Sequence, residues 1–228
     1  MKKILLGLFL VILAGCSNLN TQNKKDIDEY IKNIDVKIEK ELTKDPRIKY
    51  RRKLTDEELK KQPVSYKNYM EVVEENGYKN IYDSYDHHLR QSLTLGEDGE
   101  PYGVYKIFDE NEKLTEIGFI DKGGVFSGTK RVYYPNGKLH KLIPYYKNSV
   151  EGKRIFYHPN GNIQEIYTYI NNKEDGEGRI YYLNGKLKLI ENYKEGEKVG
   201  AYKIYDSTGR LRQKGINKNG EHIVDEDF

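Results

Sequence analysis

His87 and His88 are adjacent, so on a strand they point to opposite faces and on a helix they diverge; neither arrangement chelates a metal well. His140, His158 and His222 are scattered along the chain, with no carboxylate and nucleophile in a recognisable motif beside them. Asn217-Lys218-Asn219-Gly220-Glu221 hints at a calcium loop, but it lacks the leading Asp and the distal spacing and reads as a polar turn. Glu165 and Glu191 could be imagined as a pair of carboxylates flanking a glycosidic bond. Repetition also puts acids in rows for structural reasons, so the expectation is a chain without catalytic residues, metal or cofactor.

Cys16 is the single cysteine, which rules out an intrachain disulfide. It follows a positive stretch, Lys2-Lys3, and an apolar one, Ile4 to Leu13, and closes Leu13-Ala14-Gly15-Cys16. That order is a targeting segment, and the tetrapeptide resembles the lipobox of bacterial lipoproteins. The apolar run is about half of the ~20 residues that span a bilayer. Residues 1–15 are therefore expected to be a signal peptide and Cys16 the acceptor of a lipid, which at about 0.8 kcal/mol per buried CH₂ would hold the mature chain to a membrane. The expected address is the cell envelope, and the outer membrane or cell surface in a Gram-negative organism.

Without Lys2 and Lys3 the chain carries 37 basic and 36 acidic side chains. That balance gives no reason to expect nucleic acid. Mean hydropathy of −0.86 with 33% charged residues suits a single-layer sheet wet on two faces.

Residues 16–25 form a polar tether and 26–76 a helical region. Ile27, Ile31, Ile34, Ile38 and Leu42 recur at helical spacing, predicting a helix from Asp26 to about Lys44. Two heptads are too few for a coiled coil, so the helix is expected to pack on the rest of the chain or to act as a spacer. Asp45-Pro46 ends it. Arg47 to Lys53 is a basic run read as a solvated linker, and Thr55-Asp56-Glu57-Glu58 is a capping box stapled by Leu54 and Leu59. Ser65 is expected to cap a further helix reaching Asn76, closed by Gly77.

The remainder is one motif written repeatedly. Gly128, Gly152, Gly176 and Gly200 are 24 residues apart, and Gly137, Gly161, Gly185 and Gly209 keep the same spacing, the mark of a repeat architecture. Each copy reads as a β-hairpin. With Asn136-Gly137 as a two-residue turn, Tyr134 would pair with Leu139 and Tyr133 with His140. Phe108, Tyr133, Tyr157, Tyr181 and Tyr205 would then form an aromatic file, with Ile107, Val132, Phe156, Ile180 and Ile204 behind it. Copies are expected at 77–102 (degenerate), 103–127, 128–151, 152–175, 176–199 and 200–223, about twelve strands in a ribbon on the order of 55 Å long. Glu112 stands where the turn glycine of its copy should be. Residues 224–228 read as a solvated acidic tail.

Gly-x-x-x-aliphatic-Tyr-Tyr-x-Asn-Gly-x-Leu resembles the bacterial variant of the MORN repeat, the type often filed as YwqK-like antitoxin. The resemblance implies an elongated antiparallel sheet of stacked hairpins behind a short helical region, serving as a scaffold or protein-binding surface without enzymatic activity. A partner protein of unknown identity is expected, at outward tyrosines Tyr133, Tyr157, Tyr181 and Tyr205 and at Lys130, Arg154 and Arg179. An antitoxin-like inhibitor, by resemblance, and a glycan-acting envelope enzyme are the other two readings; glycan stacking on tyrosines has no further support.

Overall fold

The computed structural model describes residues 23–44, 70–75, 77–83, 88–218 and 221–228. Cys16 and the targeting segment, the basic run, the capping box, Ser65 and His87 lie outside the described residues. Helix α1 (23–42) precedes sixteen strands: β1 (Met70–Glu75), β2 (Tyr78–Asp83), β3 (Leu89–Leu95), β4 (Pro101–Phe108), β5 (Leu114–Asp121), β6 (Val125–Tyr133), β7 (Leu139–Tyr146), β8 (Ser149–Val150), β9 (Gly152–Tyr157), β10 (Ile163–Ile170), β11 (Lys173–Glu174), β12 (Gly176–Tyr181), β13 (Leu187–Lys194), β14 (Glu197–Tyr205), β15 (Leu211–Lys218) and β16 (Glu221–Asp227). They form one open antiparallel sheet in chain order, with β8 and β11 as short side branches.

Each end of the expected ribbon gains a strand. The region expected to be a helix up to Asn76 holds β1, where Val72 and Val73 favour a strand and Glu75 pairs with Tyr78. Gly77, at φ 79°, thus lies in the connection between β1 and β2 rather than at a helix end. Asp225-Glu226-Asp227, expected to be a free tail, belong to β16, where Glu226 pairs with Lys214 in register and through an ion pair of 2.9 Å.

The Asn-Gly turns differ from the expected two-residue form. Gly137 N–H donates to Tyr134 O and Tyr134 N–H to Lys138 O, both at 2.8 Å, so three residues, Pro135, Asn136 and Gly137, make the loop. Gly137 alone has positive φ, 79°. A two-residue turn would need an N–H at position 135, which proline lacks; proline instead suits the second position of a type I turn. Asp109 to Lys113 repeats this geometry with Glu112 at φ 57° in the glycine's place. Tyr133 consequently pairs with Leu139 and Val132 with Lys141, leaving His140 as a bulge. The same one-residue offset recurs after Leu89, Leu114, Ile163, Leu187 and Leu211, so the bulge is part of the repeat.

Asn136, Asn160 and Asn184 are freed for another task. Each Oδ1 accepts the N–H two residues on, at 3.0 Å. Each amide donates to the following turn, Asn136 to Pro159 O (3.4 Å), Asn160 to Leu183 O (2.8 Å) and Asn184 to Ser207 O (2.9 Å). Beside them Tyr134 donates to Tyr157 O and Tyr182 to Tyr205 O, while His158 Nε2 lies 3.1 Å from Tyr181 O. At the other edge the turns between β7 and β14 have two residues, both at positive φ: Lys147-Asn148, Asn171-Asn172 and Glu195-Gly196; nearer the start, Lys122 to Gly124 make a three-residue turn between Asp121 and Val125. Asn148 Oδ1 accepts Phe126 N–H (2.7 Å) and Asn148 N–H donates to Phe126 O (2.9 Å). Asn172 holds Val150 in the same two ways.

α1 lies on one face of the sheet. Ile31, Ile34 and Ile38 are buried, Ile38 completely; Ile34 and Ile38 pack with Val104, Ile117 and Phe119, and Leu42, Leu114 and Tyr133 lie around them. Each such isoleucine contributes roughly 1.5–3 kcal/mol. Thr129 donates to Asp35 from its N–H (2.6 Å) and its hydroxyl (2.7 Å), Arg131 to Glu39 (2.7 Å), and Tyr78 to Glu41 (2.7 Å). The helix therefore packs on the sheet and is not a spacer.

Asn160→Ala is expected to cost about 1–3 kcal/mol through two lost side-chain hydrogen bonds, and Gly161→Ala about 1–2 kcal/mol for an L-residue in the left-handed region. Urea unfolding midpoints check both; two unchanged midpoints would contradict the turn geometry.

Candidate functional site

Register fixes which side chains share a face, because directly paired residues point the same way. Ile107, Glu116, Val132, Lys141, Phe156, Glu165, Ile180, Leu189, Ile204 and Gln213 are consecutive partners across β4 to β15. This row lies on the face opposite α1. Among the described residues no element covers it, and Ile107 and Phe126 each stand 37% exposed.

A second set on this open face is Tyr105, Lys130, Arg154, Gly178 and Tyr202, each two residues after the glycine that opens its copy. Their partners are Gly118, Ile143, Tyr167, Glu191 and Gly215. Tyrosine rings cover the glycines: a Cβ on Gly178 would lie 2.5 Å from Tyr167, and one on Gly118 would lie 2.8 Å from Tyr105. Burial, then Glu116, which accepts the hydroxyl at 2.7 Å, pushes the Tyr105 phenol up.

Charge is held in place by these rings. The Arg154 guanidinium sits 5.0 Å from the Phe156 ring, 5.9 Å from Tyr167 and 4.5 Å from Tyr169, with Glu165 at 3.8 Å. Glu191, 2% exposed, accepts from Tyr193 (2.6 Å) and Tyr167 (3.4 Å) and lies 2.8 Å from Lys198. Burial and then Glu191 raise the Tyr167 phenol to about 12, and burial raises Tyr193 as well. Glu165 and Glu191 thus each answer to their own cation. Lys130 lies 5.8 Å from Tyr145 and 3.6 Å from Glu116, and Tyr145 meets Phe126 at 5.9 Å. No group of three metal-ligating side chains occurs among the described residues.

The expected binding residues divide between faces. Lys130 and Arg154 are on the open face. Arg179 pairs with Ile166 and Ile190 on the helix side, where it bonds Glu177 at 2.6 Å. Arg179 follows Gly176 by three residues where Arg154 follows Gly152 by two, and Gly178 occupies the place equivalent to Arg154. Tyr133, Tyr157, Tyr181 and Tyr205 follow Arg131, Ile155, Arg179 and Lys203 by two residues and share the helix side. They stand two strands apart, about 10 Å, so they form no stacked file. The ring contacts fall instead at Tyr105–Phe126, Tyr167–Tyr193 and Tyr134–His140. Parity along each strand, read from the opening glycine, carries this division. Phe126 and Tyr145 have no such signal, since their place depends on the two-residue turns.

Three consecutive stretches match the MORN repeat variant. They span residues 127–148, 150–171 and 174–195 and correspond to the hairpins β6–β7, β9–β10 and β12–β13. The flanking hairpins share the MORN copies' bulge. No curated protein matches the chain. Among solved structures, TarM aligns at 18% identity and TM-score 0.35, over 65% of this chain and 26% of that one. A mutant of S. aureus TarM in complex with fondaparinux, alpha-GlcNAc-glycerol and UDP aligns at 16% and 0.36, over 65% and 27%. The GtfA/B complex bound to UDP and GlcNAc aligns at 13% and 0.16, over 76% and 28%. The chain spans little more than a quarter of these chains' lengths.

Gly178→Ala, which must displace the Tyr167 ring, is expected to lower stability by about 1–3 kcal/mol, measured by chemical denaturation; a neutral result would contradict the close packing. Burial, and then Lys141, hold the His140 imidazole below its ordinary value. The unfolded chain takes up this proton near pH 6.5 and the folded chain only at lower pH, so His140 makes stability fall as pH drops through that window. His140→Phe should lessen the fall in melting temperature between about pH 7.5 and 5.5; an unaltered fall would contradict it.

Proposed function

We propose that the protein is an envelope lipoprotein, acylated at Cys16, whose MORN-repeat sheet binds a protein partner on its open face without catalysing a reaction. The MORN copies favour a scaffold or binding role. The observation that carries the reading is the uncovered face, where apolar side chains alternate with charge along the row from Ile107 to Ile180 and where Arg154, in the neighbouring set, is held by three rings. Aromatic and arginine side chains fixed in this way are the usual anchors of protein interfaces. For the anchor, the support is Lys2-Lys3, the run Ile4 to Leu13 and Leu13-Ala14-Gly15-Cys16. No helix among the described residues is long and apolar enough to cross a membrane, and an acyl chain would supply attachment by other means. In a Gram-negative organism the outer membrane or cell surface is the proposed location.

Labelled palmitate should enter the wild-type protein and not Cys16→Ser. In crosslinking from intact cells, Arg154→Glu should abolish recovery of the partner that Arg179→Glu retains. Equal loss, or no loss, in both would overturn the open-face reading; palmitate in neither would overturn the anchor.

A further inference from the structure

α1 enters the sheet at one edge of the ribbon. Asn23 and Ile27 border a cleft with Thr168 and Ile170 at the end of β10. Tyr30 then bonds Asp121 at 2.7 Å and meets the Tyr146 ring at 5.2 Å. All these partners lie toward the edge that carries the two-residue turns. Leu42, at the other end of the helix, reaches Leu114 and Tyr133 beside the three-residue turns.

Cys16 precedes Asn23 by seven residues, which span at most about 24 Å when extended. An eight-residue strand is about 27 Å long. A lipid on Cys16 is thus tethered within reach of one edge and not, by default, of the other. We infer that the edge carrying the two-residue turns faces the lipid surface, so that the Asn136, Asn160 and Asn184 turns project away and both sheet faces stand across the membrane plane. This rests on the proposed acylation of Cys16.

The edge's chemistry is compatible with such a position. Phe126, Ile170 and Val199, beside these turns, are 37%, 45% and 36% exposed. Its carboxylates outnumber its cations: Lys122 pairs with Asp98, and Lys194 with Asp175 at 2.9 Å, while Lys147 and Lys173 share the edge with Glu97, Glu100, Glu151, Glu174 and Glu195. With no cationic excess to draw it to anionic lipid, orientation comes from the tether rather than from adhesion.

The test uses the acylated full-length chain in phosphatidylethanolamine–phosphatidylglycerol vesicles containing a spin-labelled headgroup lipid. Lys173→Cys and Leu183→Cys, at opposite edges, are each labelled with a fluorophore; acylated Cys16 leaves the introduced thiol as the one reactive site. Quenching is expected to be several-fold stronger at position 173. Intact mass on the same sample separates the failures: acylated protein with equal or reversed quenching overturns the orientation and leaves the anchor standing, whereas unmodified Cys16 overturns both. A flexible insert of about twenty residues after Asn18 should remove the difference; a difference that persists would overturn the tether as its cause.

Discussion

Register between neighbouring hairpins is the constraint on which this sheet depends. Over β9 to β15 a single layer has little behind it to define pairing, and slipping one residue would exchange its two faces. The chain resists this at both edges. Asn136, Asn160 and Asn184 reach from one turn to the next, and Asn148 and Asn172 each grip a backbone N–H and carbonyl of the preceding hairpin. These bonds go largely to backbone atoms. Individually modest, at about 0.5–1.5 kcal/mol net, they recur through the middle copies and fix the same offset.

A fixed offset lets the two faces do different work. On one, Ile34 and Ile38 of α1 complete a core with Ile117 and Phe119, so the described helix supplies a second layer where the ribbon begins. On the other, tyrosines folded over glycines fill the surface without a second layer, and they hold Arg154 and Glu191 in set positions. The bulge after each turn belongs to the same scheme: it places His140 over Tyr134, with ring centroids 4.2 Å apart.

The sequence made the repeat legible because Gly128, Gly152, Gly176 and Gly200 open their copies where the backbone takes positive φ, here between 63° and 105°. The helix was equally legible, since isoleucine spacing reflects one buried stripe. What misled was Asn-Gly, a pair with two distinct uses. After Pro135 it closes a three-residue loop, and Asn136 serves the next turn through its side chain. Gly77, before Tyr78, lies between two strands, yet in the sequence it also looks like a helix end. The open face was partly legible: Lys130 and Arg154 share it, but the helix-side tyrosines and Arg179 do not, because register and bulges are properties of pairs of strands rather than of any one segment.

The most direct test of this account is a distance between spin labels at Lys141→Cys and Gln213→Cys, with Cys16→Ser to leave no other thiol. These positions occupy one row, six strand spacings apart. A single narrow distribution centred near 30 Å, about six steps of 4.8 Å, is the predicted result. A broad distribution, or one centred below about 20 Å as a closed or slipped sheet would give, would contradict the account.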